Sequence, residues 1–140
     1  MTLKEEKRDL FTVPNDYYLA HCISDDFALG AGVAVEFNKR YDMVAKLRQE
    51  WPEGLWGSGC ITIDNVFNLV TKQYYWHKPS YSTLQRALES MLKECEKLGV
   101  TKIAIPRIGC GLDGLQWGRV KDIVWDVFEG TDIEILVCRL

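Results

Sequence analysis

The chain has 140 residues, 47% of them hydrophobic and 26% charged, the balance of one compact globular domain and not of a disordered segment. Its net charge of −3 supplies no basic field for salt-driven binding to a nucleic-acid backbone or an anionic membrane. No apolar run reaches the roughly 18–20 residues of a membrane span, and the charged start MTLKEEKRDLF lacks the apolar stretch of a signal peptide.

The five cysteines show no CxxC spacing, which suggests neither a disulfide framework nor a zinc site. Residues 1–140 therefore read as a single domain, expected to be a cytoplasmic monomer with no membrane partner, no metal and no cofactor.

Tyr18–Ile23 is short, mostly apolar and followed by a polar and then glycine-containing loop, as in a buried strand that opens onto a site. Val33, Phe37 and Tyr41, then Val44, Leu47 and Trp51, recur at helical spacing and predict two short helices, the second closed by Pro52 and the glycines of PEGLWGSG. Ile61–Ile63 and Val66–Val70 read as strands joined at Asp64-Asn65. A long helix is predicted over 82–98, with Leu84, Leu88, Met91, Leu92, Cys95 and Leu98 as its apolar stripe. Ser82 and Gln85 fit a capping box there and Gly99 a stop. The strand Lys102–Ile105, the loop Pro106–Gly114, a helix with Trp117, Val120, Val124, Val127 and Phe128 inward, and the strand Ile133–Val137 complete the chain. Strands alternating with helices predict an α/β fold with a mixed sheet between helical layers.

Two loops stand out, each after a strand and before a helix: Ser24-Asp-Asp-Phe-Ala-Leu-Gly-Ala-Gly-Val-Ala34 and Pro106-Arg-Ile-Gly-Cys-Gly-Leu-Asp-Gly114. Glycines there let backbone N–H groups approach an anion, and a following helix N-terminus adds a favourable dipole. A pair of such loops at the carboxyl ends of strands suits a diphosphate. Structural turns explain such glycines equally well on pattern alone. Neither loop has the Lys-Ser or Lys-Thr of a P-loop, and Gly30-Ala-Gly32 is only the first half of a dinucleotide-binding GxGxxG.

Ser24-Asp25-Asp26 with Gly30-Ala-Gly-Val-Ala34, followed by Pro106-Arg-Ile-Gly-Cys-Gly-Leu-Asp113, resembles the macrodomain family. Asp9-Leu-Phe11, Ala20–Ser24, Thr71-Lys72, His77-Lys-Pro79 with Tyr81, Leu115-Gln-Trp117 and Thr131-Asp-Ile133 are similar, more narrowly, to its terminal ADP-ribose protein glycohydrolase branch. Arg8, where the family usually has glycine, and Tyr74-Tyr75-Trp76 are local departures. The resemblance implies a three-layer α/β/α macrodomain that binds ADP-ribose. It implies Asp9 and Leu10 at the adenine and proximal-ribose end, with Leu140 near the adenosine. Ser24, Gly30, Ala31, Gly32 and Val33 would contact the ligand from the first loop. Arg107 would open the second loop, and Ile108, Gly109, Cys110, Gly111 and Leu112 would wrap the diphosphate and distal ribose. In that branch a lysine is the nucleophile at the distal ribose C1″ and an aspartate the acid/base; the matching positions are Lys72 and Asp113.

The resemblance thus implies a hydrolase that removes mono-ADP-ribose from acidic side chains, with ADP-ribose or an ADP-ribosylated protein as partner. An ADP-ribose 1″-phosphate phosphatase, a hydrolase of ADP-ribosylated nucleic acid and a non-catalytic reader remain as alternatives. From the residues alone, Lys72 also fits a solvated lysine at a strand end and Asp113 a helix cap. His21 fits a core residue, His77 a turn, Trp117 and Trp125 core packing, and Cys110 a backbone donor. One of Trp51, Trp56 and Trp76 is expected to edge the cleft.

Overall fold

The computed structural model describes residues 1–140. Six strands, β1 (Thr2–Lys7), β2 (Tyr18–Ser24), β3 (Gly59–Ile63), β4 (Val66–Lys72), β5 (Lys102–Ile105) and β6 (Glu134–Arg139), form one sheet in the order β1-β6-β5-β2-β4-β3. All neighbours run parallel except β3 and β4, an antiparallel hairpin. The four helices are α1 (Val33–Tyr41), α2 (Met43–Glu50), α3 (Tyr81–Leu98) and α4 (Trp117–Phe128).

The central strands are covered on both faces, so they read as near-continuous apolar runs. On β4, Phe67 and Leu69 join the core under α3 and α4, while Val66 and Val70 join the core under α1 and α2. On β6, Ile135 and Val137 face the first core and Leu136 and Cys138 the second. This alternation makes the molecule a three-layer α/β/α sandwich with a mixed sheet. No helix is long and apolar enough to cross a membrane.

Three details differ from the sequence reading. Thr2–Lys7 is an edge strand whose residues are exposed apart from half-buried Leu3, so it has no apolar alternation to betray it; backbone pairing with β6 alone extends it. The capping box of α3 lies two residues earlier than Ser82–Gln85. Ser80 Oγ accepts from Thr83 N at 3.1 Å and Thr83 Oγ1 accepts from Ser80 N at 3.0 Å, because Ser80, at φ −111° and ψ 168°, takes the extended conformation of a cap. Trp125 and Leu98 point outward, at 46% and 45% exposure, since Val124, Phe128 and Cys95 already fill the inward positions.

Candidate functional site

At the carboxyl ends of β2, β4 and β5 the two glycine loops face one another across a cleft of about 800 Å³. The first loop is shaped by anchors that the sequence hides. Phe27 and Leu29 are buried at 3% and 6% exposure although their φ angles are +55° and +44°, a conformation that costs a non-glycine residue about 1–3 kcal/mol and persists where packing over-determines it. With both side chains pinned in the core, Ala28 and the 30–33 stretch are left lining the cleft. Gly32, at φ +60° and ψ −145°, is the N-cap of α1, in a region that a side chain would strain. The N–H groups of Gly32, Val33 and Ala34 find no acceptor within the protein, as expected for the first turn of a helix without a side-chain cap.

The adjacent carboxylates of Asp25 and Asp26 fasten this loop to its neighbours. Asp25 accepts from the N–H groups of Leu55 at 2.7 Å and Trp56 at 2.9 Å. A Cβ at Gly54 would lie 2.8 Å from its oxygens, so glycine is required for that approach. Asp26 accepts from Ser24 Oγ at 2.5 Å, Ala28 N at 3.2 Å and Tyr75 N at 2.9 Å. Burial pushes its carboxyl up, but these donors outweigh that and hold it below the usual aspartate value. Ser24 is thus committed to Asp26 while it lines the cleft.

In the second loop Gly109 and Gly111 hold φ of +73° and +63°. Leu115 N donates to Gly109 O at 2.9 Å, closing the loop, and the N–H groups of Gly111 and Leu112 have no protein acceptor. The Cys110 N–H donates to Arg107 O at 3.3 Å. Burial pushes the Cys110 thiol above its ordinary value. Burial and the charge of Asp113 push that of Cys22 to about 12, so neither is a thiolate nucleophile near neutral pH. Arg107 is anchored to Glu5 of β1 at 2.6 Å, and its guanidinium lies 5.7 Å from the centre of the half-buried Trp117 ring.

Lys72 ends β4 and Asp113 ends the turn Gly111–Asp113. Lys72 Nζ donates to Asp113 Oδ1 at 2.8 Å, and both side chains are mostly buried, at 16% and 18% exposure. Asp113 does not cap α4, whose N-cap is Gln116; its carboxylate is given to Lys72. The pair joins an amine and a carboxylate in the wall of a cleft rich in backbone donors, which equips the site to bind an anion and to exchange a proton beside a potential nucleophile.

Of the residues singled out from sequence, Ser24, Gly30, Ala31, Gly32, Val33, Lys72 and Arg107 to Asp113 all line this one cleft. Three do not. Asp9 caps the short turn Leu10–Thr12 by accepting from Phe11 N at 2.9 Å. Leu10 is buried and borders a separate hollow of about 440 Å³ with Phe11, Tyr17 and Arg40. Leu140 is 93% exposed at the chain end, next to the bond from Arg8 N to Arg139 O at 2.8 Å. The sequence reading gave no ligand role to Tyr75 and Lys78, which also line the cleft; Lys78 stands in the family-like His77-Lys-Pro79, whereas Tyr75 belongs to a local departure from the family and has no signal beyond its nearness to Lys72. It also gave none to Asp25 and Asp26 as fasteners. His21 is a fully buried core residue whose Nε2–H donates to Asn68 Oδ1 at 2.7 Å. No group of His, Cys, Asp and Glu side chains is arranged to hold a metal.

The family model for the Macro domain matches residues 55–124. The chain is 44% identical over 139 residues to the human (Homo sapiens) protein named ADP-ribose glycohydrolase OARD1, a match covering 96% of this chain and 89% of that protein. The Bos taurus protein of the same name is 43% identical with the same coverage. Among solved structures, the macrodomain of Mycobacterium tuberculosis DarG superposes with a TM-score of 0.87 at 19% identity, over 98% of this chain and 97% of that one. The Thermosipho africanus DarTG, solved in complex with ADP-ribose, gives 0.78 at 17% identity over 99% of this chain and 42% of the larger protein. The sheet order, the paired glycine loops and identity extending over nearly the whole chain agree: this protein belongs to the macrodomain family.

Proposed function

We propose that this macrodomain is a hydrolase that frees ADP-ribose from an acidic side chain of a modified protein, with Lys72 as nucleophile and Asp113 as acid/base. The observation that carries the reading is the 2.8 Å contact between Lys72 Nζ and Asp113 Oδ1 in the wall of the cleft. The 44% identity to a protein named ADP-ribose glycohydrolase supports the same class of reaction. The unpaired N–H groups of the two loops suit the diphosphate, and a ligand held there would turn its distal ribose toward the lysine.

The chemistry balances on this pair. Asp113 takes a proton from the Lys72 ammonium, and the freed lone pair attacks C1″ of the distal ribose. The bond from C1″ to the ester oxygen breaks with its electrons on the leaving carboxylate, which Asp113 then protonates. Asp113, ionised again, accepts a proton from water as the water oxygen bonds C1″. The C1″–N electrons return to Nζ, which takes that proton back, and the ion pair is restored.

The test is release of ADP-ribose from a glutamate-modified protein by wild type and by Lys72→Ala, Lys72→Arg and Asp113→Ala. Each variant is expected to lose on the order of 10²–10⁴-fold in kcat/KM, with its fold verified by circular dichroism. Lys72→Arg is the decisive arm, since a guanidinium keeps the charge and the ion pair yet stays protonated and is no nucleophile. Full activity in that variant would overturn the lysine's role.

A further inference from the structure

The segment after Lys72 departs from what a buried cleft wall requires. Tyr75 and Trp76 are each 66% exposed and Tyr74 is 43% exposed, and none of the three belongs to either core. They are nevertheless ordered against one another. The Tyr74 and Trp76 rings stack at 5.6 Å with only 4° between their planes. His77 packs edge-on against both, at 5.1 Å and 4.2 Å, and Tyr74 N donates to His77 Nδ1 at 3.4 Å. The pad is fastened to the first site loop by the bond from Tyr75 N to Asp26 Oδ2. Exposed aromatic rings held rigid in advance lose little entropy on binding, and tyrosine and tryptophan dominate the energetics of protein recognition. Patches of this kind on a soluble protein mark contact sites.

We infer that Tyr74 and Trp76 form a subsite for the polypeptide that carries the ADP-ribose, flanking the modified side chain as it leaves Lys72. This rests on the hydrolase reading above for the identity of the modified group. Position supports it: the pad begins two residues after Lys72, and Tyr75 continues the wall of the same cleft, so a chain attached at C1″ meets these rings on leaving. Charge decides the class of occupant. Residues 73–78 bring one lysine, Lys78, whose Nζ already donates to Leu112 O, while the Asp26 carboxylate lies against the same segment. A nucleic acid would demand several cations along its phosphates, whereas a polypeptide needs only apolar contact and hydrogen bonds.

The experiment measures affinity on the Lys72→Ala background for three probes: free ADP-ribose, a glutamate-ADP-ribosylated peptide and an ADP-ribosylated DNA oligonucleotide. With the pad intact, the peptide is expected to bind about tenfold more tightly than free ADP-ribose. Tyr74→Ser with Trp76→Ser should abolish that preference and leave the affinity for free ADP-ribose within about twofold. Trp76→Phe, which keeps a flat ring, should retain most of the preference. Equal affinities before substitution, a preference that survives it, an equal loss for both ligands, or a preference for the oligonucleotide alone would each overturn the assignment. The readout is an affinity ratio on a nucleophile-free background, so it can fail while the hydrolase activity of wild type stands, and the reverse.

Discussion

Lys72 and Asp113 are 41 residues apart in the chain and 2.8 Å apart in space, and neither has a local motif that names its chemistry. A lysine after an apolar strand is most simply solvated, and an aspartate before a helix most simply a cap; the distributed family pattern singled them out, and the fold supplied the contact. His21 is the reverse case. Its place inside Tyr18–Ile23 reads as core, and it is fully buried, stacked on Phe37 at 3.9 Å, with Nδ1 left without a partner. Burial pushes its pKa down from 6.5 to about 4, with the Asn68 hydrogen bond only partly opposing. The unfolded chain therefore binds this proton more readily than the native one. Stability is intact above pH 6.5 and is lost as the pH falls towards about 4, by roughly 3 kcal/mol in full. A series of thermal melts between pH 7.5 and 4.5 should show this fall in wild type. His21→Gln, which cannot titrate there, should flatten the slope even if its melting temperature starts lower; an unchanged slope would assign the loss to other groups. Glu5, held low chiefly by its hydrogen bond from Arg107, and Asp26 act the same way only at lower pH, because their ordinary values lie at 4.5 and 3.8.

Among the elements, legibility followed burial. β2, β4, β5 and β6 carry their signal in apolar runs because both faces are covered. α3 carries its own in Leu84, Leu88, Met91 and Cys95, all buried. β1 escaped because an edge strand of Lys and Glu forms through main-chain bonds, and its charges are what keep such an edge from pairing with other chains. It nonetheless bears on the site, since Glu5 anchors Arg107 at the cleft. The capping box of α3 lies two residues before its predicted place because Ser80 and Ser82 both offer a hydroxyl, and only the backbone conformation before Tyr81 selects between them. Ser80→Ala is therefore expected to lower stability by about 1 kcal/mol in urea unfolding, and Ser82→Ala to change it by less than about 0.5 kcal/mol. Equal effects would place the cap differently.

For the whole molecule, the cleft is a product of topology. β2, β4 and β5 run parallel, so their carboxyl ends deliver Ser24, Lys72 and the Pro106 loop to one side of the sheet. A ligand bridging both loops would tie two otherwise separate segments to the native state alone. ADP-ribose at 100 times its Kd should then add about 2.7 kcal/mol of stability, a rise in Tm on the order of 10 °C for a domain of this size. Thermal melts with and without ADP-ribose read this directly, and the absence of any shift would mean that the cleft does not hold it. The sequence by itself determined the α/β class, the buried strands, the two glycine loops and their nearness to helix starts, because periodicity, turn chemistry and apolar runs are local properties. Only the tertiary structure decided that Asp113 pairs with Lys72 and caps nothing, that Asp25 and Asp26 fasten three loops together, that Asp9, Leu10 and Leu140 lie outside the main cleft, and that Tyr74–Trp76 stands exposed, with Tyr75 in the cleft wall. Those outcomes depend on which strand ends become neighbours, and strand pairing is set by the packing of the whole sheet.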